Sequence, residues 1–160
     1  MKFLQQQLLP RLPQLVALAL ARTPDAVITP LLERTLSHFF QNELACGALD
    51  FLAGRSLHIH ISDLQLQFGV SLQNGRLRVQ LPLAAGDASI RASSADFILM
   101  INGRVDPDTL FFQRRLLMSG DTEMALQVKN LLDTIELAER LPKPLLRAST
   151  LLADQLEQAV

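Results

Sequence analysis

Residues 106–130 read DPDTLFFQRRLLMSGDTEMALQVKN, and the order of signals within them decides the fold. Asp106-Pro107-Asp108 is a helix opening, a carboxylate ahead of a proline whose fixed φ suits a first turn, and the turn it starts carries Phe111 and Phe112. Leu116 to Met118 is a short apolar run of strand type. Gly120 breaks that run, and Asp121 is placed as the N-cap of a further helix, with Glu123 adding favourable charge at the same end. On this helix Met124, Val128, Leu131, Leu132 and Ile135 recur on one face, while Glu123, Gln127, Asn130 and Thr134 share the other. The stretch thus reads as a short helical turn, a strand and an amphipathic helix. Its apolar face could line a tunnel or fill a core, and periodicity leaves both open.

Upstream of this stretch the apolar period is two. Leu57, Ile59 and Ile61 alternate with Ser56, His58 and His60, and Leu64, Leu66, Phe68, Val70 and Leu72 alternate with polar or small residues. Asn74-Gly75 predicts a tight hairpin, since both residues tolerate positive φ, and Leu77, Val79 and Leu81 continue the inward face on the return strand. Ala88, Ile90 and Ala92 add another strand, and the closing strand follows. Alternation of this kind means one covered face and one wet face, the α+β pattern of a mostly antiparallel sheet of about five strands with helices on one side. Between the strands, Ser93 and Ser94 cap a helix bearing Phe97, Ile98, Met100 and Ile101, with Gly103 as its stop.

Ahead of the sheet, Thr29-Pro30 predicts a helix start, with Leu32, Leu36, Phe39, Phe40 and Leu44 on a core-facing stripe and Gly47 at its end. Residues 1–21 hold an apolar run between Arg11 and Arg22 that a secretory signal could explain, although Pro10, Arg11 and Pro13 interrupt the approach. The alternative is a short helix from Pro13 to Arg22 that packs on the domain or lies at a membrane surface. At the other end, Pro142 and Pro144 precede a last helix with Leu145, Leu152 and Leu156 on a stripe beside Ala148 and Ala159. That helix could cover a cavity, contact a partner or touch a bilayer, and apolar terminal helices could equally make a homodimer.

A chain of 160 residues with 49% hydrophobic and 19% charged residues is one domain's worth of core. The net charge of −1 and the lack of a Lys/Arg run argue against nucleic acid. Cys46 is the single cysteine, so no intrachain disulfide can form, a reducing compartment fits, and a buried apolar role is expected for it. His58 and His60 point to the same side of a strand, but no further ligand accompanies them, so ordinary solvent-facing histidines are expected rather than a metal site. No phosphate loop, nucleophile elbow, HExxH or paired cysteines occur, and no catalytic residue is assigned.

The quoted stretch resembles the end of a sterol-carrier-protein-2-like domain, in which a Phe precedes a short strand, a Gly-Asp step follows, and the next helix closes the sheet over an apolar tunnel. Phe111, Phe112, Leu116, Met118, Gly120 and Asp121 stand in those places. The wording FFQRRL, SGDTE and VKNLLD is similar to one bacterial branch, the ubiquinone biosynthesis accessory factors. The chain departs from the pattern at Arg114, where the family tends to place a Gly, and at Met124-Ala125, where the branch often has Leu-Gly. The resemblance covers about residues 35–137 and implies three parts: a helical extension over 1–34, the lipid-binding domain over 35–137, and an amphipathic helix over 138–160.

It further implies a tunnel lined by Phe97, Met100, Ile101, Phe111, Phe112, Leu116, Met118, Met124, Val128, Leu131, Leu132 and Ile135. The expected ligands are polyprenylated ubiquinone intermediates or other lipids, the expected partners the hydroxylation proteins UbiU and UbiV, and the setting oxygen-independent ubiquinone biosynthesis. No cofactor and no catalysis are expected, with a cytoplasmic location open to peripheral contact with the inner membrane. The rival readings are a protein–protein scaffold or general phospholipid binder that docks through the terminal helices, and a small enzyme acting on a lipid.

Overall fold

The computed structural model of the protein describes residues 12–81 and 86–135, with residues 140, 143, 147, 150, 151, 153 and 154 of the C-terminal segment. Two helices lead in, α1 over Leu12–Arg22 and α2 over Asp25–Phe39, followed by the short α3 over Gln41–Cys46 and a 3-10 turn over Asp50–Leu52. Four strands come next: β1 Ser56–Ile61, β2 Leu66–Gln73, β3 Arg76–Gln80 and β4 Ala88–Ala92. Helix α4 spans Ser94–Ile101, α5 spans Pro107–Phe112, β5 is Leu117–Gly120, and α6 is Thr122–Asp133. The residues at 1–11, and Pro142, Pro144, Leu145, Ala148, Leu152, Leu156 and Ala159 of the expected last helix, lie outside the described residues.

The five strands form one sheet in the order β3-β2-β1-β4-β5, with every neighbouring pair antiparallel except β1 and β4. Register follows from the alternation. Val79, Val70, Leu57 and Ala88 stand in one row across the sheet, and Phe68, Ile59, Ile90 and Met118 in another. A slip of one residue would turn each of these side chains to the opposite face. The predicted hairpin is present, with Asn74 at φ 52° and Gly75 at φ 71°. The closing strand sits one residue later than expected: fully buried Leu116 donates its N–H to the Leu110 carbonyl at 3.0 Å, and β5 begins at Leu117.

Gly120 is where close approach and backbone conformation both demand glycine. Its φ is +89°, and a Cβ there would collide with the Asp87 carbonyl oxygen. That tight crossing lets the Asp121 N–H donate to the Asp87 carbonyl at 2.8 Å, tying the start of α6 to β4.

Helix α2 corrects the sequence reading. It opens at Asp25 behind Pro24 and carries Pro30 inside, not at its first turn. Pro30 removes only the hydrogen bond to the Ala26 carbonyl, and both residues are exposed, so water can serve that oxygen. The helix then breaks at Phe40, which splits the expected stripe between α2 and α3 before Gly47 ends α3 in the left-handed conformation. Cys46 is exposed and not buried, since α3 turns Glu43 inward instead.

Helices α2 and α6 lie on the sheet, α2 against β3 and α6 against β4 and β5. Glu33 of α2 accepts from the Val79 N–H at 3.0 Å and meets Arg78 at 3.5 Å, which occupies the free edge of β3. On the other face His58 and His60 are half-buried rather than free in solvent, and Gly86 packs so closely that a Cβ would lie 3.1 Å from His58 Cβ. Burial lowers the His60 pKa first, with Arg91 and His58 adding to it. No helix among the described residues is long and apolar enough to cross a membrane.

Candidate functional site

Between the sheet and its covering helices lies a cavity of about 80 Å³ whose lining residues are all apolar. The floor is the inward face of the sheet: Leu57 and Ile59 of β1, Val70 of β2, Leu77 of β3 and Ile90 of β4. Leu36 of α2, Phe40 and the 3-10 segment with Leu49, Phe51 and Leu52 form one wall. Val128, Leu131 and Leu132 of α6, with Phe97 of α4, form the other. Leu57, Val70, Leu77 and Ile90 are buried, while Ile59 of the floor and Leu36, Phe40, Phe51, Phe97, Leu131 and Leu132 are half-buried, so most of the floor is core and the rim reaches toward solvent.

Each wall is placed by local chemistry. Asp121 caps α6 by accepting from the Met124 N–H at 3.0 Å, and Arg55 reaches the same carboxylate at 3.4 Å. Ser93 caps α4 and also donates to Asp96 at 2.7 Å. Buried Asp96 in turn receives Arg115 Nε at 2.9 Å, fixing α4 to the link between α5 and β5. The α2–α3 corner is held by a buried ion pair in which Arg140 grips both carboxylate oxygens of Glu43, donates to the Phe39 carbonyl at 2.8 Å, and lies 5.6 Å from the Phe39 ring centre. This guanidinium holds the Glu43 carboxyl below the usual carboxylate range, against the opposing pull of burial. Further along the C-terminal segment, Asp154 pairs with Arg104 just beyond α4.

Of the residues expected to line a tunnel, Phe97, Val128, Leu131 and Leu132 meet at this cavity. Met100, Leu116 and Met124 are buried in the continuous core beside it, and Met118 packs against that core from β5. Ile101 is half-buried at the end of α4, and Ile135 is buried just beyond α6. Phe111 and Phe112 stand on the surface, 46% and 81% exposed, edge to face with each other at 5.9 Å between ring centres. Arg114 is likewise exposed and has no part in the cavity lining, and its φ of +59° marks it as the left-handed residue that ends α5.

Sequence reasoning treated the inward strand residues as core and did not see that five of them are also the cavity floor, because alternation reports a face and not a void. Phe51 and Leu52 gave no periodic signal, coming from a three-residue turn. Glu43 and Arg140 lie 97 positions apart, and nothing local links them.

The SCP-2 sterol transfer family matches residues 32–133 of the chain. Over 145 residues it is 45% identical to the ubiquinone biosynthesis accessory factor UbiT of Escherichia coli (strain K12), covering 91% of this chain and 82% of the relative. The UbiT of Escherichia coli O157:H7 matches with the same identity and coverage. Among solved structures, the UbiJ-SCP2 ubiquinone synthesis protein superposes with a TM-score of 0.56 at 18% identity over 69% of this chain and 97% of its own, a likeness in fold. A sheet and helices that leave an apolar hollow between them are thus joined to a strong sequence match, and the chain belongs to the SCP-2 sterol transfer family as a homologue of the ubiquinone biosynthesis accessory factor UbiT.

Proposed function

We propose that the protein binds polyprenylated ubiquinone intermediates in the cavity under α6 and presents their rings to modifying enzymes, performing no chemistry itself. The observation that carries this reading is a cavity lined only by apolar side chains, lying between sheet and helices in a chain of this family. Each CH₂ moved from water to such a site gains about 0.8 kcal/mol, so a prenyl tail leaves a bilayer only for another apolar host. Transfer between two apolar hosts is nearly balanced, which suits delivery and return.

The volume bears on how this works. An engineered apolar cavity of about 150 Å³ in another protein accepts a benzene molecule. A cavity of about 80 Å³ is therefore a closed form, and a long tail enters by parting the half-buried rim, α2 and Phe40 on one side and Leu131 and Leu132 on the other. The partners in this reading are the hydroxylation proteins UbiU and UbiV, and the location is cytoplasmic with transient contact at the inner membrane. Exposed Phe112 on α5, with Leu15 and Leu18 on α1, supports such contact, since large apolar side chains in water favour an interface.

The test is mass spectrometry of lipids extracted from protein purified without detergent from a ubiquinone-producing bacterium. A prenylated benzenoid or quinone near one per chain is the expected result. Protein free of lipid would overturn the carrier reading in favour of a scaffold that docks through the exposed helix faces. Chemical change of a bound lipid by the purified protein alone would overturn the non-catalytic one.

A further inference from the structure

We infer that the ion pair between Glu43 and Arg140 is a latch across the rim of the apolar cavity, holding it shut and parting to let a lipid tail in or out. The inference rests on the lipid-carrier reading and adds to it the contact that controls exchange.

The two walls of the cavity stand on opposite halves of the sheet. Helix α2 lies against β3 and α6 against β4 and β5, at the two ends of the order β3-β2-β1-β4-β5, with the cavity between them. At about 80 Å³ the shut cavity is too small for a prenyl or acyl tail, so exchange has to pass through an open form. A contact that holds the rim shut must therefore join one wall to the other. Just past α6 the chain makes such a contact. Ile135, three residues beyond Leu132 of the α6 wall, is buried, and five positions later Arg140 is fastened to the α2–α3 corner.

The fastening bears on a rim residue. Arg140 donates to both Glu43 oxygens and to the Phe39 carbonyl, and its guanidinium lies 5.6 Å from the centre of the Phe39 ring. That ring meets the Phe40 ring edge to face at 5.0 Å, and Phe40 lines the cavity. Phe40 is also the break between α2 and α3, with φ −100° and ψ 22°. A rim side chain, a bend in the backbone and the grip of the C-terminal segment thus coincide.

The kind of contact suits a latch. Parting apolar surfaces exposes them to water at a cost that rises with their area. Parting a buried ion pair returns both charges to water, and the regained hydration offsets much of the lost attraction. In the shut form the two side chains are only 9% and 11% exposed, so removing one partner strands the other charge and weakens that form. The other tie of the C-terminal segment, Arg104 with Asp154, has side chains 37% and 42% exposed, and an ion pair so open to water holds little.

The experiment follows, by stopped flow, the transfer of a fluorescent long-chain fatty acid between the intact chain and phosphatidylcholine vesicles that carry a quencher. A latch that re-forms behind the ligand slows both directions alike. Glu43→Gln should therefore raise the rates of uptake and release together by about tenfold or more, leaving their ratio within about twofold of the wild type. Arg140→Lys keeps the charge and loses the two-point grip, so its rates should fall between the two, and it carries the test should Glu43→Gln fail to fold. Leu110→Ala is the control, since Leu110 is fully buried and outside the cavity lining. It lowers stability without touching the rim and should leave both rates at their wild-type values. Unchanged rates in folded Glu43→Gln and Arg140→Lys overturn the inference, as does equal acceleration in Leu110→Ala. In either case the carrier reading stands, because the probe is bound. A wild type that takes up no probe overturns the carrier reading and the latch with it.

Discussion

Helices α5 and α6 flank the same short strand, and each brings large apolar side chains to it, yet they treat them oppositely. On α6, Met124 is fully buried and Val128 is 4% exposed, whereas on α5 Phe111 and Phe112 are 46% and 81% exposed. The difference is angular. Successive residues on a helix turn by about 100°. On α5 the inward direction belongs to Leu110 and Pro107, both buried, so the next two positions swing out of the core. On α6 Met124, Val128 and Leu132 repeat at i and i+4 along the inward direction, while Leu126, off that stripe, is left exposed. Hydropathy alone would place both phenylalanines in the core; position on the helix overrules it.

Met124→Asp should have the largest effect, because a carboxylate would enter a fully buried position without a partner. We expect a loss of more than about 4 kcal/mol, read as loss of the cooperative unfolding transition in urea. An unchanged midpoint would mean that the stripe of α6 is not the inward face.

Glu43 inverts the comparison, as a charged residue at 8% exposure in a molecule that leaves Phe112 outside. Glu43→Gln should cost about 3 kcal/mol by leaving the Arg140 guanidinium buried without its counter-charge. The pH dependence follows from the lowered pKa: the pair contributes fully above the unfolded value near 4.5 and is lost as pH falls through the lower folded value. The stabilities of the wild type and of the Glu43→Gln variant should therefore differ at neutral pH and converge in acid. A gap that stays constant into the acid range would assign the stabilisation to packing.

Leu131→Asp tests the rim instead of the core. The residue is half-buried at the cavity rim, so the cost in stability should be about 1–2 kcal/mol while lipid content falls sharply. Full lipid occupancy in a folded variant would remove α6 as a tunnel wall. Arg114→Gly should stabilise by about 0.5–1 kcal/mol, since the φ of +59° costs an arginine what it does not cost a glycine. A drop in melting temperature would indicate that the Arg114 side chain makes a contribution exceeding its backbone strain. Phe112→Ser should change stability by less than about 0.5 kcal/mol but weaken binding to anionic vesicles in a flotation assay. Undiminished flotation would take the double Phe out of membrane contact.

The strands were legible because a period of two over Leu57–Ile61, Phe68–Leu72 and Leu77–Val79 has a single physical reading, and the Asn74-Gly75 turn sets the register of one hairpin. Asp121 and Ser93 were legible as caps because an acceptor side chain before an amphipathic run satisfies backbone donors that nothing else reaches. Pro30 misled for a related reason: proline marks a first turn by preference, and an exposed helix can carry one further in. Cys46 misled because burial is a property of the face it lands on, and the break at Phe40 set that face.

By itself, the sequence determined which segments are strand and helix, which side of each is apolar, and that α6 carries an amide–hydroxyl stripe beside its apolar one, since all of these depend on residues a few positions apart. The tertiary structure decided that the sheet floor and the rim residues leave a hollow between them and that Glu43 finds Arg140. It also decided that Phe112 is left in water. Those outcomes depend on how distant surfaces fit. Packing is a sum over contacts between segments far apart in the chain, and no local pattern encodes the space they fail to fill.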